Sequence, residues 1–185
     1  MTTALAVHLL LRRPARRIYQ DYAVLALNLA LWFLADALHV LFGMTSGVLN
    51  TLRLIIATGI PVTNTRFMRT FLEDESSTGQ RLERGLVVVA ILLGITIVLR
   101  PVGLNVPDFV ATPVMIFYVF GGVGLSLRLI AQRLRVTQSP TEQGRMRSLL
   151  VAGGIAACLT LLDYIPDVGY FFFGNIFVTL FLYFL

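Results

Sequence analysis

The stretch that decides the fold is residues 22–72, YAVLALNLALWFLADALHVLFGMTSGVLNTLRLIIATGIPVTNTRFMRTFL. It contains two long apolar runs, Tyr22–Phe42 and Val48–Leu72, joined by a short turn at Gly43–Gly47. Each run is long enough to form a helix that crosses a bilayer. We therefore predict two antiparallel membrane helices. Because both rise equally per residue, residues at equal depth should have numbers that sum to about 90.

The composition of the whole chain supports a membrane protein. Of its 185 residues, 57% are hydrophobic and 14% are charged, and the mean hydropathy is +0.81. A soluble domain of this size needs more polar surface than such a composition supplies. The high pI of about 10.0 does not indicate nucleic-acid binding, because the arginines lie in the gaps between apolar runs, as membrane orientation requires. We predict one all-α, polytopic integral membrane domain over residues 1–185.

Five further apolar runs extend the prediction to seven transmembrane helices. The first run is too short to span and is ended by Arg12–Arg17, so we expect a short first helix. Two polar segments, Glu73–Arg84 and Gln132–Arg147, are predicted to be loops. In chain order, the additional runs are residues 1–11, Gly85–Leu99, Asp108–Ile130, Met146–Leu162 and Tyr170–Leu185.

The arginine distribution predicts the orientation of these helices. Thirteen of the fifteen arginines lie in three alternate segments, and the opposite side keeps only Arg53 and Arg100. Positive charge marks the cytoplasmic side, so we predict an outside N-terminus and a cytoplasmic C-terminus. The last run ends at Leu185 without a charged residue. We therefore expect the sequence to be the N-terminal part of a longer protein.

A resemblance to a known class of domains rests on the order of helices and on a few residues between them. These are Leu31–Trp32, the mid-helix Pro61, the segment Ser139–Glu142, and Leu162–Pro166 with Gly169. In these features the chain resembles the N-terminal seven-transmembrane region of bacterial sensor histidine kinases. The resemblance implies a multi-pass sensory module of the bacterial cytoplasmic (inner) membrane, acting as a homodimer on a cytoplasmic output domain. No kinase segment is present, so no catalytic residue is implied.

Three ionisable residues near the predicted outer face are the first candidate site. Asp36 and His39 are three apart and so share a helix face, and the depth relation places Asp36 level with Arg53. Opposite charges at one depth reduce the cost of burying each in an apolar medium. Two interpretations stay open. The residues could form a pocket that senses an unknown small ligand or a proton, or a clamp that fixes the helical hairpin.

Further candidates lie deeper in the predicted membrane. Pro61 removes a helical hydrogen bond and leaves a carbonyl that neighbouring polar groups can satisfy. It is either a hinge or an ordinary packed kink. Asn64, one turn later, and Asn175 in the last helix are candidate ligand-binding residues. On the outer side, Asp108, Asp163 and Asp167 are better explained as caps and loop ends than as a cation site.

The sequence predicts neither a cofactor nor enzymatic activity. It contains no lysine, which excludes a retinal Schiff base. His8 and His39 are at different predicted depths and cannot ligate one haem iron. We find no metal-ligand cluster, catalytic triad pattern or phosphate-binding loop. The expected function is signal sensing and relay. A small transporter or channel is the alternative, and an intramembrane enzyme is the weakest.

Overall fold

A computed structural model describes residues 17–42, 47–74, 76–99 and 108–162. All regular structure in these ranges is helical, which confirms the all-α prediction. The predicted first and seventh helices lie outside the described residues. The five helices, in chain order, are α1 (Arg17–Phe42), α2 (Gly47–Phe71), α3 (Ser77–Leu99), α4 (Asp108–Val136) and α5 (Pro140–Leu162).

Three helices extend beyond their apolar runs at the ends rich in charge. The prediction that Glu73–Arg84 is a loop is wrong from Ser77 onward, because α3 begins there. Likewise, α4 continues to Val136 and α5 starts at Pro140, within the segment predicted as a second loop. The helix starts follow capping chemistry. The Gly79 backbone N–H donates to Ser76 Oγ at 3.1 Å, and proline suits a first helical turn.

Side-chain contacts confirm the antiparallel hairpin of α1 and α2. Asn28 Nδ2 donates to Thr63 Oγ1 at 3.3 Å, and the rings of Tyr22 and Phe67 pack edge to face with centroids 5.7 Å apart. Both pairs satisfy the predicted depth relation closely. The depth relation is therefore confirmed for these two pairs.

A second set of contacts shows that α2 and α4 run parallel. The hydroxyls of Thr65 and Ser126 are 2.7 Å apart and fully buried. Nearby, Tyr118 Oη lies 2.9 Å from the carbonyl oxygen of Thr58 and 3.1 Å from that of Leu86 on α3. The α2–α4 pairs are separated by 60 or 61 positions in sequence. Helix α2 therefore contacts α1, α3 and α4, and α5 packs against α4.

The distribution of apolar side chains suits a lipid environment. Four of the described helices are long and apolar enough to cross a membrane, namely α1, α3, α4 and α5. Their outer faces expose large apolar residues such as Leu92, 60% exposed, and Phe117, 80% exposed. Helix α2 is not among the four, yet it buries Thr58, Asn64 and Thr65 at the centre of the bundle. The most polar helix is thus shielded by its neighbours.

Helix α2 ends at Phe71 and is followed by Glu73, the one non-glycine residue with positive φ that the structure describes. The Asp74 N–H donates to the carbonyl of Arg69 at 2.9 Å, and the Glu73 N–H donates to that of Thr70 at 3.3 Å. This is the hydrogen-bond pattern of a Schellman cap. Its left-handed residue is usually glycine, because a Cβ there is sterically unfavourable.

We expect Glu73→Gly to raise the free energy of unfolding by about 0.5 kcal/mol, since relief of the left-handed strain exceeds the added flexibility of the unfolded chain. Glu73→Val should lower it by about 1 kcal/mol, because a β-branched side chain tolerates this conformation worst. Reversible unfolding in mixed micelles measures both. Equal stabilities of the two variants would contradict the assignment of Glu73 as the left-handed residue of a Schellman cap.

Candidate functional site

A cavity of about 100 Å³ lies among α1, α2, α4 and α5. Its wall is almost wholly apolar, and the side-chain polar groups on it belong to Trp32, Asn64 and Thr160. Thr160 Oγ1 donates to the carbonyl of Ala156 within its own helix at 2.7 Å. The remaining lining residues are Leu25, Leu29, Ala57, Ile60, Met68, Val119, Phe120, Val123, Leu127, Gly153, Ala156 and Ala157.

Asn64 is the unusual member of this wall. Its side chain is 8% exposed, and its amide has no hydrogen-bond partner among the residues that the structure describes. Most buried polar side chains are hydrogen-bonded, because an unpaired one loses its interactions with water and gains nothing. The cavity therefore presents one free donor group and one free acceptor group on an otherwise apolar wall.

A second polar site, the junction cluster, lies where α1 begins, α2 ends and α3 begins. We define it as Asp21, Arg66, Arg69, Thr70 and Glu83. Asp21 is only 4% exposed; it accepts a hydrogen bond from Thr70 Oγ1 at 2.6 Å and pairs with Arg66 Nε at 2.8 Å. A buried carboxylate requires such partners, since an unpaired charge in an apolar medium is costly.

The same cluster joins α2 to α3. Arg69 forms a largely buried ion pair with Glu83 and also donates to the backbone carbonyl of Asp74. An added Cβ at Gly79 would meet the side chains of Arg69 and Asp74, which would have to shift to make room for it. Arg145 lies over the ring of Phe71 at 5.8 Å. This contact brings the basic start of α5 to the same end of the bundle.

The predicted outer pocket is described only in part. Asp36 and His39 lie on α1 and Arg53 on α2, where the Arg53 side chain is half-buried. The side chains of Asp36 and His39 are outside the described part of the structure, so the pairing with Arg53 stays a prediction. Asn175 also lies outside the described residues.

Pro61 lies within α2, which continues as a helix on both sides of it. Hydroxyl groups contact carbonyls on either side of it: Thr63 Oγ1 donates to Gly59 O at 3.0 Å, and Tyr118 Oη reaches Thr58 O. The carbonyl that Pro61 leaves without a helical partner is that of Ala57, and its satisfaction by a polar group stays a prediction. The ring packs against Gly122, where an added Cβ would lie 2.5 Å from Pro61 Cβ. Gly122 therefore permits the close contact between α4 and α2; the role of Pro61 as a hinge stays a prediction.

Neither Asp21 nor the junction cluster is among the sites predicted from the sequence. Asp21 precedes the apolar run and was assigned to no helix, although the depth relation would have paired it with Thr70. Asn64 was predicted to bind a ligand, but the cavity beside it was not. The sequence contains little information about the cavity, because the cavity exists only where particular faces of four helices meet.

Together, the fold and these sites define an α-helical, multi-pass membrane bundle with an apolar cavity among four helices and an ionic junction at one end. No family model, curated protein or solved structure matches this chain.

Proposed function

We propose that this chain is a membrane-embedded sensing module, which relays a signal from outside or within the bilayer to a histidine kinase-like cytoplasmic output domain. The observation that carries the proposal is the course of α2. Its Asn64 lines the cavity, and less than two turns later Arg66, Arg69 and Thr70 form the junction cluster. One helix thus connects a site that can take a ligand to an ionic contact among three helices.

The relay follows from this connection. A ligand that fills the cavity in one packing of the helices, and not in another, shifts the equilibrium by its difference in affinity. A small rotation or translation of α2 changes the distances of Arg66 to Asp21 and of Arg69 to Glu83. The electrostatic energy of a close charge pair changes strongly when the distance between the two charges changes. The junction cluster would then convert cavity occupancy into a new arrangement of α1 and α3.

The proposal also includes the membrane topology and the oligomeric state of the chain. Seven passes with an outside N-terminus and a cytoplasmic C-terminus, in a bacterial inner membrane, would place the junction cluster on the cytoplasmic side. Support comes from the meeting of Arg17, Arg66 and Arg145 at one end of the bundle. A homodimer through α4 is supported by Gly121 and Gly124, beside which the described structure leaves open space.

Asp36, His39 and Arg53 would form a second input near the outer face. Arg53 is four turns from the junction cluster on the same helix, so a ligand or proton bound there would act through α2 as well. The rival function, a small transporter or channel, predicts polar groups along one continuous cavity. The described cavity has an almost entirely apolar wall, which favours sensing.

The test joins the full chain to the cytoplasmic core of a histidine kinase and measures autophosphorylation in membrane vesicles. Ala157→Leu, which places extra bulk in the cavity, should change phosphorylation at least threefold. Val151→Leu, on the exposed face of the same helix, should leave it unchanged. If instead phosphorylation is the same in all three, and proteoliposomes of the wild type take up a solute, the chain is a transporter and the sensing proposal is wrong.

A further inference from the structure

We propose that the cavity beside Asn64 binds a small, neutral amphiphile, whose single hydroxyl or carbonyl group hydrogen-bonds with the Asn64 amide. This inference names the class of ligand for the proposed sensing function. The effect of the ligand on the output domain rests on that function, whereas the binding of the ligand does not. Binding itself is measured separately.

The ligand must be neutral because the cavity wall carries no ionisable side chain. Its lining residues are aliphatic, aromatic or small, apart from Asn64 and Thr160. A charge placed there would lose its hydration without gaining a counterion, which is among the most unfavourable changes in protein chemistry. Ammonium, phosphate and carboxylate ligands are therefore excluded from this site.

The ligand must also carry one polar group. The Asn64 amide provides an acceptor oxygen and a donor nitrogen, and neither has a partner in the described part of the chain. A hydroxyl group can donate to that oxygen or accept from that nitrogen, and a carbonyl group can accept. A purely apolar molecule of the same shape would leave the amide unpaired. The cavity should therefore discriminate between an alcohol and its apolar analogue.

The volume limits the size of the ligand. Apolar cavities of about 150 Å³ hold a benzene molecule. A cavity of about 100 Å³ therefore admits a molecule slightly smaller than benzene, or the polar end of a longer amphiphile. Ordered water suits the site less well, since the wall is apolar apart from the Asn64 amide, the Trp32 indole N–H and the already bonded Thr160 hydroxyl.

The chain contains its own reporter of occupancy. Trp32 is the single tryptophan of the sequence, and it lies in the cavity wall. Chlorinated small molecules quench indole fluorescence on contact. 2-Chloroethanol and 1-chloropropane are both smaller than benzene and have nearly the same shape, because a hydroxyl group in one replaces a methyl group in the other. The ratio of their quenching constants therefore measures the contribution of a hydrogen bond at this site.

The experiment titrates both probes into the full chain in phosphatidylcholine nanodiscs, with concentrations corrected for partition into lipid. We expect saturable quenching, with the alcohol binding about fivefold more tightly than the apolar analogue. Asn64→Leu, similar in size, should reduce this ratio to about one. Asn28→Leu is the matched control, because Asn28 bonds Thr63 and does not line the cavity, and it should keep the wild-type ratio.

Two further variants keep the test decisive. If Asn64→Leu does not fold, Asn64→Ala should show the same loss of preference. Ala157→Leu, by filling the cavity, should abolish the saturable component for both probes. The proposal is overturned if the preference for the alcohol survives at Asn64→Leu, or if the wild-type quenching never saturates. Absence of binding, together with phosphorylation that still responds to Ala157→Leu, overturns this ligand class and leaves the sensing function standing.

Discussion

Arg66→Gln should lower the free energy of unfolding by about 2 kcal/mol. The substitution leaves the carboxylate of Asp21, which is 4% exposed, without its close cationic partner at 2.8 Å. Breaking a fully buried pair costs roughly 3–5 kcal/mol. The expected loss is smaller here because the Arg66 side chain is 51% exposed and Thr70 still donates to Asp21. Reversible unfolding in mixed micelles measures the change.

The order of related variants distinguishes a buried charge from general disruption. Asp21→Asn should cost less than Arg66→Gln, since the amide keeps an acceptor for Thr70 and the half-exposed Arg66 can be hydrated. The double variant should be about as stable as Asp21→Asn alone. Arg17 provides the control: its side chain is 75% exposed and 3.9 Å from Asp21, so Arg17→Gln should change stability by no more than about 0.5 kcal/mol. Equal losses for Arg17→Gln and Arg66→Gln would refute the assignment.

Gly122→Ala should destabilise the bundle by about 2 kcal/mol, because the added methyl group meets a rigid neighbour. Its Cβ would lie 2.5 Å from Cβ and 3.1 Å from Cγ of Pro61. A proline ring held in a helix cannot rotate away, so α2 and α4 must separate. The hydroxyl contact between Thr65 and Ser126, one turn further along, would lengthen with them. Thermal unfolding of the purified chain should show the loss.

The adjacent glycine gives a matched comparison. An added Cβ at Gly121 meets open space, and alanine is a better helix former than glycine by about 1 kcal/mol. In dilute micelles, where the proposed dimer is dissociated, Gly121→Ala should therefore leave stability unchanged or raise it slightly. A destabilisation by Gly121→Ala as large as that by Gly122→Ala would mean that the α2–α4 contact is not the cause.

The hairpin of α1 and α2 could be predicted from the sequence because its geometry has little freedom. A short turn between two apolar runs forces them to be antiparallel, and equal rise per residue then fixes which residues are level. The pairing of Asn28 with Thr63 follows from this relation. The ends of α3, α4 and α5 could not be read from hydropathy in the same way. Hydropathy shows where a helix leaves the apolar layer. The first and last helical residues are instead set by capping groups, such as Ser76 at the start of α3.

The cavity and the junction cluster were harder to predict for two different reasons. A membrane helix has no polar stripe that reveals its inward face, because lipid is as apolar as the protein interior. The rotation of Asn64 toward α1, α4 and α5 therefore leaves little trace in the sequence. The junction cluster did leave a trace, since Asp21 and Thr70 obey the depth relation. It was missed because Asp21 was placed outside the helix.

The central position of α2 has a consequence for how the chain enters the membrane. A segment that carries Arg53, Asn64 and Arg66 is a poor substrate for the translocon on its own, because an arginine costs up to roughly 2.5–3.5 kcal/mol to insert, with the full cost at the helix centre and less toward the ends where these two arginines lie. We expect α2 to leave the translocon together with α1, whose Asp21 and Asn28 already provide partners for it. Nascent chains that end before α4 should therefore be retained at the translocon or degraded. They lack the helix that packs against Pro61 and Thr65 of α2.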